Sequence, residues 1–223
     1  LRLACVPIAK QDLSKVIKFM ITRLKKTDVD IRLNCEITSE MLENEFKDYI
    51  VLGTTGAKPR IIDAFTSFKS TMTADDILAG RKVTGRNVVI IGGGSVGCET
   101  ADYLAPLVND LFPANRNVTI LEMTNALMTG EGGAAKSVLT RRLMEKGVRI
   151  EFNAKVERVD SDHIYYSQNG KEHVISDADT LVFATGYVPL PIQNDRIVQI
   201  GDCDSVGNLK DAISSAYQAT IHL

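Results

Sequence analysis

The hydrophobic residues of this chain fall into two alternating patterns. Short uninterrupted apolar runs are typical of strands that are buried in a parallel sheet. Longer segments with apolar residues at helical spacing predict amphipathic helices. The predicted strands are Val29–Leu33, Tyr49–Leu52, Val88–Ile91, Val118–Leu121, Val148–Phe152 and Leu181–Ala184, and the predicted helices include Asp12–Thr27, Ser39–Glu45, Thr73–Leu78, Ala134–Lys146 and Leu209–Thr220. This alternation predicts an α/β fold built on a parallel sheet.

Later in the chain the pattern changes from strands with helices to short strands alone. Val156–Val159, His163–Tyr166 and His173–Ile175 are rich in residues that favour strands. Asn169 and Gly170 lie between the last two segments, and this dipeptide favours the tight turn of an antiparallel hairpin. We therefore expect a three-stranded antiparallel meander in place of a connecting helix.

The predicted strand Val88–Ile91 ends at a glycine-rich turn that leads directly into a helix. Gly92, Gly94 and Gly97 have the G-x-G-x-x-G spacing of dinucleotide-binding βαβ units. The first glycine permits a sharp turn, the second admits a pyrophosphate and the third lets the helix pack on the strand. Glu122 follows the next strand, where an acidic residue would bind the ribose hydroxyls of NAD. A glycine turn without a ligand is the alternative.

Two other strand ends resemble one another. Residues 55–59 read Thr-Gly-Ala-Lys-Pro, and residues 185–189 read Thr-Gly-Tyr-Val-Pro. The repeated glycines are Gly56 and Gly186. The repetition suggests two related nucleotide-binding units rather than one.

Asp202 follows the last predicted strand and Gly201, shortly before the C-terminal helix. Its carboxylate could accept hydrogen bonds from the hydroxyls of a ligand. An acidic residue at this position could equally stabilise a turn. The sequence does not distinguish these two roles.

Composition narrows the classes of function. The formal net charge of −2 gives no electrostatic reason to bind nucleic acid or an anionic membrane. No apolar run approaches the roughly 18 residues of a membrane-spanning helix, and we find no secretory signal. We therefore expect a cytoplasmic protein whose partners are small nucleotides. Because the chain begins at Leu1 rather than methionine, we expect a fragment or a processed product.

No catalytic or metal-binding side chain is predicted. The cysteines are Cys5, Cys35, Cys98 and Cys203, and the histidines are His163, His173 and His222. The cysteines lack metal-ligand spacing, and we interpret them as reduced, mostly buried thiols. The histidines are isolated, and we interpret those of the meander as surface or strand residues rather than proton-transfer groups.

Together these motifs resemble the pyridine-nucleotide flavoprotein oxidoreductases, which bind two dinucleotides. Residues 92–101 read Gly-Gly-Gly-Ser-Val-Gly-Cys-Glu-Thr-Ala, residues 143–148 read Leu-Met-Glu-Lys-Gly-Val, and residues 200–204 read Ile-Gly-Asp-Cys-Asp. These sequences are similar to the C-terminal region of the old-yellow-enzyme-like NADH:flavin oxidoreductases. That family includes 2,4-dienoyl-CoA reductase, 2-enoate reductase and trimethylamine dehydrogenase. The resemblance covers nearly the whole chain and implies a Rossmann-like FAD/NAD(P)-binding fold.

The resemblance implies roles for individual residues. Glu122 would hold the adenosine ribose, and three glycines would cradle the pyrophosphate of NAD(H). Glu99 matches a glutamate near the nicotinamide, although an acid favoured by the helix dipole is an equal alternative. The residues implied for the NAD site are Gly92, Gly94, Gly97, Glu99, Glu122 and Gly186, and those implied for the FAD site are Gly56, Gly201 and Asp202.

The implied organisation is an NAD domain, residues 82–188, between two parts of an FAD domain, residues 1–81 and 189–223. The family's first glycine fingerprint, which binds the FAD pyrophosphate, would precede Leu1. An N-terminal barrel with FMN and an iron–sulfur cluster would precede it too. We therefore expect FAD in the intact protein, and weak or no retention of FAD by this chain. The oligomeric state stays open, and the absence of paired cysteines argues against a disulfide reductase.

The leading hypothesis is the electron-input region of a flavin-dependent enoate or dienoyl reductase, in which hydride passes from NADH to FAD. Glu122, with no arginine directly after it, favours NADH over NADPH by about tenfold or more, because a carboxylate repels a 2′-phosphate. One alternative is a structural or regulatory module that holds an adenine nucleotide without turnover. Another is a different flavoprotein of this fold, such as an NADH oxidase or a ferredoxin reductase.

Overall fold

The computed structural model describes residues 1–105, 116–130 and 133–221. The helices are α1 (Leu13–Leu24), α2 (Ser39–Asn44), α3 (Ala74–Leu78), α4 (Ser95–Leu104), α5 (Ala134–Glu145) and α6 (Leu209–Thr220). The strands are β1 (Val51–Gly53), β2 (Ala57–Pro59), β3 (Thr71–Thr73), β4 (Asn87–Ile91), β5 (Asn117–Leu121), β6 (Arg149–Glu151), β7 (Ala154–Val159), β8 (Ile164–Gln168), β9 (Lys171–Ile175), β10 (Thr180–Phe183), β11 (Tyr187–Pro189) and β12 (Ile197–Gln199). Within these described ranges, no helix is long and apolar enough to cross a membrane.

The chain divides into two compact units, and each unit is built from two separate segments. Unit 1 contains Leu1–Lys18 and Pro59–Gly186, and unit 2 contains Phe19–Lys58 and Tyr187–Leu223. Unit 1 thus begins its second segment at residue 59, whereas the sequence predicts an NAD domain from residue 82. The earlier start has a physical cause: β3 lies within residues 59–81 and pairs in parallel with β10 of the same sheet.

Unit 1 is built on a five-stranded parallel sheet in the order β3-β10-β4-β5-β6. The two central pairings join β4 to β10 and β4 to β5, with Ile91 opposite both Phe183 and Leu121. Because the strands are parallel, their carboxyl ends meet at one edge of the sheet. That edge is where open α/β sheets bind their ligands.

The two faces of this sheet are covered by different kinds of element. On one face, α3, α4 and α5 pack through Ile77, Cys98 and Leu143 against alternate strand residues such as Ile90 and Ile120. On the other face, the meander β7-β8-β9 packs through Val156, Ile164 and Tyr166 against Val89, Leu121 and Leu181. The meander therefore occupies the place of a covering helix, as the sequence predicts.

The hairpin of the meander forms where the sequence predicts it. Strands β8 and β9 are antiparallel and joined at Asn169 and Gly170, which both have positive φ angles, +51° and +76°. This is the conformation of the tight turn that an Asn-Gly pair favours. The predicted meander is confirmed.

Unit 2 contains a short parallel pair, β1 with β12, in which Gly53 lies opposite Gln199. Helix α6 starts with a capping box in which Asn208 and Asp211 bind each other's backbone N–H groups. Arg196 donates to the carbonyl oxygens of Phe46 and Lys47 just after α2. The capping box fixes the start of the predicted helix Leu209–Thr220.

Two expectations about local structure need correction. The described chain has no strand at Val29–Leu33, and Leu33 is 80% exposed, because no neighbouring strand in the described residues pairs with this segment. An isolated strand leaves its backbone groups unpaired and is not stable by itself. Of the four cysteines, Cys98 and Cys203 are buried as predicted, whereas Cys5 is half-buried and Cys35 is exposed.

Candidate dinucleotide-binding site

Three strand ends converge on the glycine turn of unit 1. The N–H of Gly92 donates to the carbonyl of Leu121 at 3.0 Å, and the N–H of Ala184 donates to the carbonyl of Ile91 at 3.0 Å. These bonds continue the strand pairing by one residue beyond β4 and β10. The turn therefore begins between the carboxyl ends of its two neighbouring strands.

The three glycines of the fingerprint differ in what surrounds them. Gly92 has φ +104°, and a Cβ there would lie 2.5 Å from the carbonyl oxygen of Ala184. A Cβ on Gly97 would lie 2.0 Å from the carbonyl oxygen of Gly92. A Cβ on Gly94 would meet no atom of the described residues within 4 Å. The first and third glycines are thus required by the fold, whereas the second leaves open space beside the turn.

That open space belongs to a cavity of about 650 Å³. The residues that line it include Gly92–Gly94, Glu122–Thr124, Thr185 and Gly186, together with apolar side chains of the sheet and meander. Gly94 is the N-cap of α4 and supplies no capping side chain, so the positive end of that helix begins at the cavity. A helix start of this kind, beside an open glycine, suits a phosphate group.

Glu122 is buried, lines this cavity and binds the glycine turn. Its Oε2 accepts a hydrogen bond of 2.7 Å from the N–H of Gly93. Its Oε1 accepts from the N–H of Thr124 at 2.7 Å and from the Thr124 hydroxyl at 2.8 Å. The structure thus brings the predicted ribose-binding acid and the predicted pyrophosphate turn together.

The repeated Thr-Gly loops have the same local structure. In unit 1, the Thr185 hydroxyl donates to the carbonyl of Arg60 at 2.7 Å, and the Arg60 N–H donates to the carbonyl of Gly186 at 2.9 Å. In unit 2, Thr55 and Gly56 bind the carbonyl and N–H of Leu190 in the same way. Gly186 and Gly56 have φ angles of +88° and +86°. The sequence repeat therefore corresponds to a structural repeat.

Glu99 is buried on α4 but is not among the residues that line the cavity. Its Oε1 is paired with the ammonium group of Lys10, which comes from the N-terminal segment of unit 1. The structure therefore separates Glu99 from the other residues predicted for the NAD site. Its proposed place near the nicotinamide stays a prediction.

The residues predicted for the FAD site lie in unit 2. A Cβ on Gly201 would lie 3.7 Å from Oγ1 of Thr54, so the loops after β12 and β1 meet. Asp202 accepts a hydrogen bond of 3.1 Å from the N–H of Gly207 through Oδ1. Asp202 therefore stabilises its own loop. Gly56 is open, with no protein atom within 4 Å of a Cβ placed there.

The histidines of the meander lie away from the cavity. His163 is paired with Asp160 through Nδ1 at 3.0 Å, and His173 stacks on Tyr166 with ring centroids 5.2 Å apart. His222 lies outside the described residues. In the part of the chain that is described, no group of three or more His, Cys, Asp or Glu side chains is placed to hold a metal ion.

Sequence reasoning missed two residues of this site and one contact outside it. Gly93 is the first x of the G-x-G-x-x-G fingerprint, and it provides the N–H that binds Glu122. Thr124 holds the other oxygen of that carboxylate. A threonine two residues after an acid is a recognisable turn signal, because its backbone N–H and hydroxyl can both reach back to the acid. No sequence pattern indicated the pairing of Lys10, since its partner Glu99 lies far along the chain.

The parallel sheet, the glycine turn and the acid at the next strand define a dinucleotide-binding α/β protein. Residues 11–200 match the sequence model of the family described as pyridine nucleotide-disulphide oxidoreductase. The match covers most of the chain, which therefore belongs to this family. Membership implies binding of FAD and NAD(P).

Individual relatives agree with this assignment. Over 96% of this chain, it is 32% identical to the cinnamate reductase of Clostridium sporogenes. Over 87% of this chain, it is 27% identical to the NADH oxidase of Thermoanaerobacter brockii. Over the whole of this chain, the fold matches that of a solved 2-naphthoyl-CoA reductase complex with a TM-score of 0.82 at 22% identity. The chain spans 32%, 31% and 34% of those three chains, respectively, or about a third of each.

Proposed function

We propose that unit 1 binds NADH, with its pyrophosphate at the turn of Gly92–Gly94 and its adenosine ribose at Glu122. The observation that carries the proposal is the contrast among the glycines. Gly92 and Gly97 have no room for a side chain within the fold, whereas Gly94 faces open space at the start of α4. Since the fold does not require glycine at position 94, a ligand that approaches the backbone closely explains why glycine occurs there.

Preference for NADH over NADPH follows from Glu122. Its carboxylate can accept hydrogen bonds from the two ribose hydroxyls of NADH, but it repels a 2′-phosphate. Arg60 and Lys155 line the same cavity, and each could attract a phosphate. Lys155 is already paired with Glu157 at 3.1 Å. Glu122 therefore decides the choice between NADH and NADPH.

We propose that unit 2 contributes Gly56, Gly201 and Asp202 to an FAD site in the intact protein. Support comes from the two loops that meet after β1 and β12, and from the likeness of the Thr55-Gly56 loop to its counterpart in unit 1. When bound, NADH would supply a hydride and FAD would accept it. This chain's own residues bind and orient the two dinucleotides, and no titrating side chain is required for hydride transfer.

The parent protein is proposed to be an NADH:flavin oxidoreductase of the cytoplasm that passes electrons onward to FMN and an iron–sulfur cluster held outside this chain. The names of its relatives, cinnamate reductase and NADH oxidase, support this class. A conjugated enoate is the substrate class that the first of these names suggests. The parent's oligomeric state is left open.

The proposal is tested on the intact parent protein with its FAD bound, by mixing it with each nucleotide under anaerobic conditions and recording the flavin absorbance. We expect NADH to bleach the flavin, NADPH to do so more slowly, and ADP to have no effect. Binding of NADH without bleaching would contradict the electron-input role. Failure of any nucleotide to bind unit 1 would contradict the site itself.

A further inference from the structure

Thr124 contacts Glu122 through two separate groups. Its N–H and its hydroxyl reach the same oxygen, Oε1, at 2.7 and 2.8 Å. The hydroxyl also lies 3.0 Å from the carbonyl oxygen of Ala126. Since a hydroxyl has one proton, it donates to Glu122 or to Ala126, and rotation about its C–O bond exchanges the two partners.

The Glu122 carboxylate can accept a limited number of hydrogen bonds. Two carboxylate oxygens offer about four lone-pair sites. Among the described residues, donors from Gly93 and Thr124 fill three of them, which leaves one site on Oε2. That site can accept a hydrogen bond from the ribose diol of NADH.

We infer that Thr124 is a positioning residue for nucleotide choice, whose hydroxyl helps to hold the Glu122 carboxylate towards the cavity while one acceptor site on Oε2 stays open for the ribose. The inference rests on the proposed NADH site. In this arrangement the N–H groups of Gly93 and Thr124 and the Thr124 hydroxyl together fix the carboxylate. A 2′-phosphate offers no hydroxyl proton at that position and meets a fixed negative charge.

A packing role does not explain these contacts. Thr124 is exposed, and it belongs to neither of the two hydrophobic clusters of unit 1. Its carbonyl oxygen accepts from the N–H of Asn153 at 2.9 Å, so the backbone of the turn is fixed whichever side chain is present. What the side chain adds is the bond to Glu122.

Thr129 provides a matched control. It is exposed, lines the same cavity, and donates through its hydroxyl to the same Ala126 carbonyl at 3.2 Å. No hydrogen bond joins its hydroxyl to Glu122. Thr124→Val and Thr129→Val therefore remove equivalent hydroxyls from one turn, and only the first removes a contact with the acid.

The experiment is a calorimetric titration of each variant with NADH and with NADPH, read as the ratio of the two dissociation constants. We expect Thr124→Val to reduce the preference for NADH by about three- to tenfold, the effect of losing one typical hydrogen bond. Thr124→Ser, which restores the hydroxyl, should recover the preference. Thr129→Val should leave the ratio unchanged, and thermal unfolding shows whether each variant is folded.

Three results would overturn the inference, and they differ in what else they affect. If folded Thr124→Val keeps the wild-type preference for NADH, the positioning role of Thr124 is excluded. The proposed NADH site is not affected by that result. Equal wild-type affinities for NADH and NADPH contradict both the role of Glu122 and the inference. A loss of preference that Thr124→Ser does not reverse assigns the effect to shape rather than to the hydroxyl.

Discussion

A Cβ atom on Gly97 would lie 2.0 Å from the carbonyl oxygen of Gly92, a distance that real Cβ atoms do not reach. The first turn of α4 therefore rests directly on the glycine turn that precedes it. This contact brings the start of the helix to the cavity and links the stability of unit 1 to the geometry of its nucleotide site.

Replacement of Gly97 should therefore destabilise the fold. In Gly97→Ala the new Cβ would meet a backbone carbonyl and would also lie 3.2 Å from Cβ of Ala184, so the helix must shift. Overpacking of this kind costs about 1–3 kcal/mol. We expect a lower midpoint of denaturant unfolding together with weaker NADH binding, and an unchanged midpoint would contradict the packing argument.

Gly94→Ser should separate binding from stability. Gly94 has φ −68°, which any residue adopts, and serine is a favourable N-cap, so the fold should retain its stability within about 0.5 kcal/mol. The added side chain occupies the space beside the turn. We expect NADH affinity to fall by about tenfold, or 1.4 kcal/mol. Unchanged affinity would place the pyrophosphate elsewhere.

The fold of unit 1 could be predicted because each of its signals is local. The apolar run Val88–Ile91, the glycine spacing and the Asn169-Gly170 turn each determine structure over a few residues. The position of Glu122 could be predicted because parallel strands bring their carboxyl ends together. These features need no knowledge of distant contacts.

What could not be predicted depends on partners far apart in sequence or on single rotamers. Val29–Leu33 has the composition of a strand, but a strand forms only where a neighbour pairs with it. The pairing of Lys10 with Glu99 joins residues with no shared pattern. The orientation of the Glu122 carboxylate follows from bonds to Gly93 and Thr124, which strand patterns do not specify.

Glu122→Gln tests the choice of nucleotide. The amide keeps the shape of the side chain but loses its charge, so a 2′-phosphate is no longer repelled. We expect the preference for NADH over NADPH to fall by about tenfold, mostly through tighter NADPH binding, because Arg60 and Lys155 line the cavity. The measurement is the ratio of dissociation constants by titration.

Glu157→Gln is the control for that change. Glu157 is an exposed residue of β7 that pairs with Lys155 at 3.1 Å. Its replacement removes a negative charge from the same neighbourhood without altering the Glu122 carboxylate. A change in preference as large as that of Glu122→Gln would show that general electrostatics, rather than Glu122, controls nucleotide choice.

Lys146→Met should strongly destabilise unit 1. Asp102 on α4 is buried and pairs with Arg142 at 2.5 Å and with Lys146 at 3.0 Å. Removal of one partner from a buried ion pair costs about 3–5 kcal/mol, and we expect about 2–4 kcal/mol because Arg142 remains. Denaturant unfolding measures this loss.

Arg141→Met is the surface counterpart of that change. Arg141 pairs with Glu145 at 3.6 Å, and both side chains are largely exposed. Exposed pairs contribute about 0–1 kcal/mol. The two variants should therefore differ clearly in unfolding midpoint, and equal losses would contradict the importance of burial at Asp102.

Acid should weaken the cap of α3. Burial opposes ionisation of Asp76, but hydrogen bonds from the Thr73 N–H and hydroxyl and from Arg81 outweigh it and lower the pKa of Asp76 below 3.8. The ionised carboxylate therefore stabilises the fold above pH 3.8, and this contribution is lost as the pH falls through the lowered pKa.

Asp76→Asn should reveal this pH dependence. The variant should unfold at a lower temperature than wild type near neutral pH, and the difference should shrink as the pH falls below about 4. Thermal unfolding over a series of pH values measures it. A difference that stays constant across the series would show that the charge of Asp76 contributes nothing to the cap.

We propose that the turn at Gly92–Gly94 and the acid Glu122 form a working nicotinamide dinucleotide site. The decisive measurement is a calorimetric titration of the wild-type protein with NADH, NADPH and ADP in parallel. We expect the tightest binding for NADH, by about tenfold over NADPH, with ADP weaker than NADH. Binding of ADP as tight as that of NADH would contradict it, because the nicotinamide half would then contribute nothing.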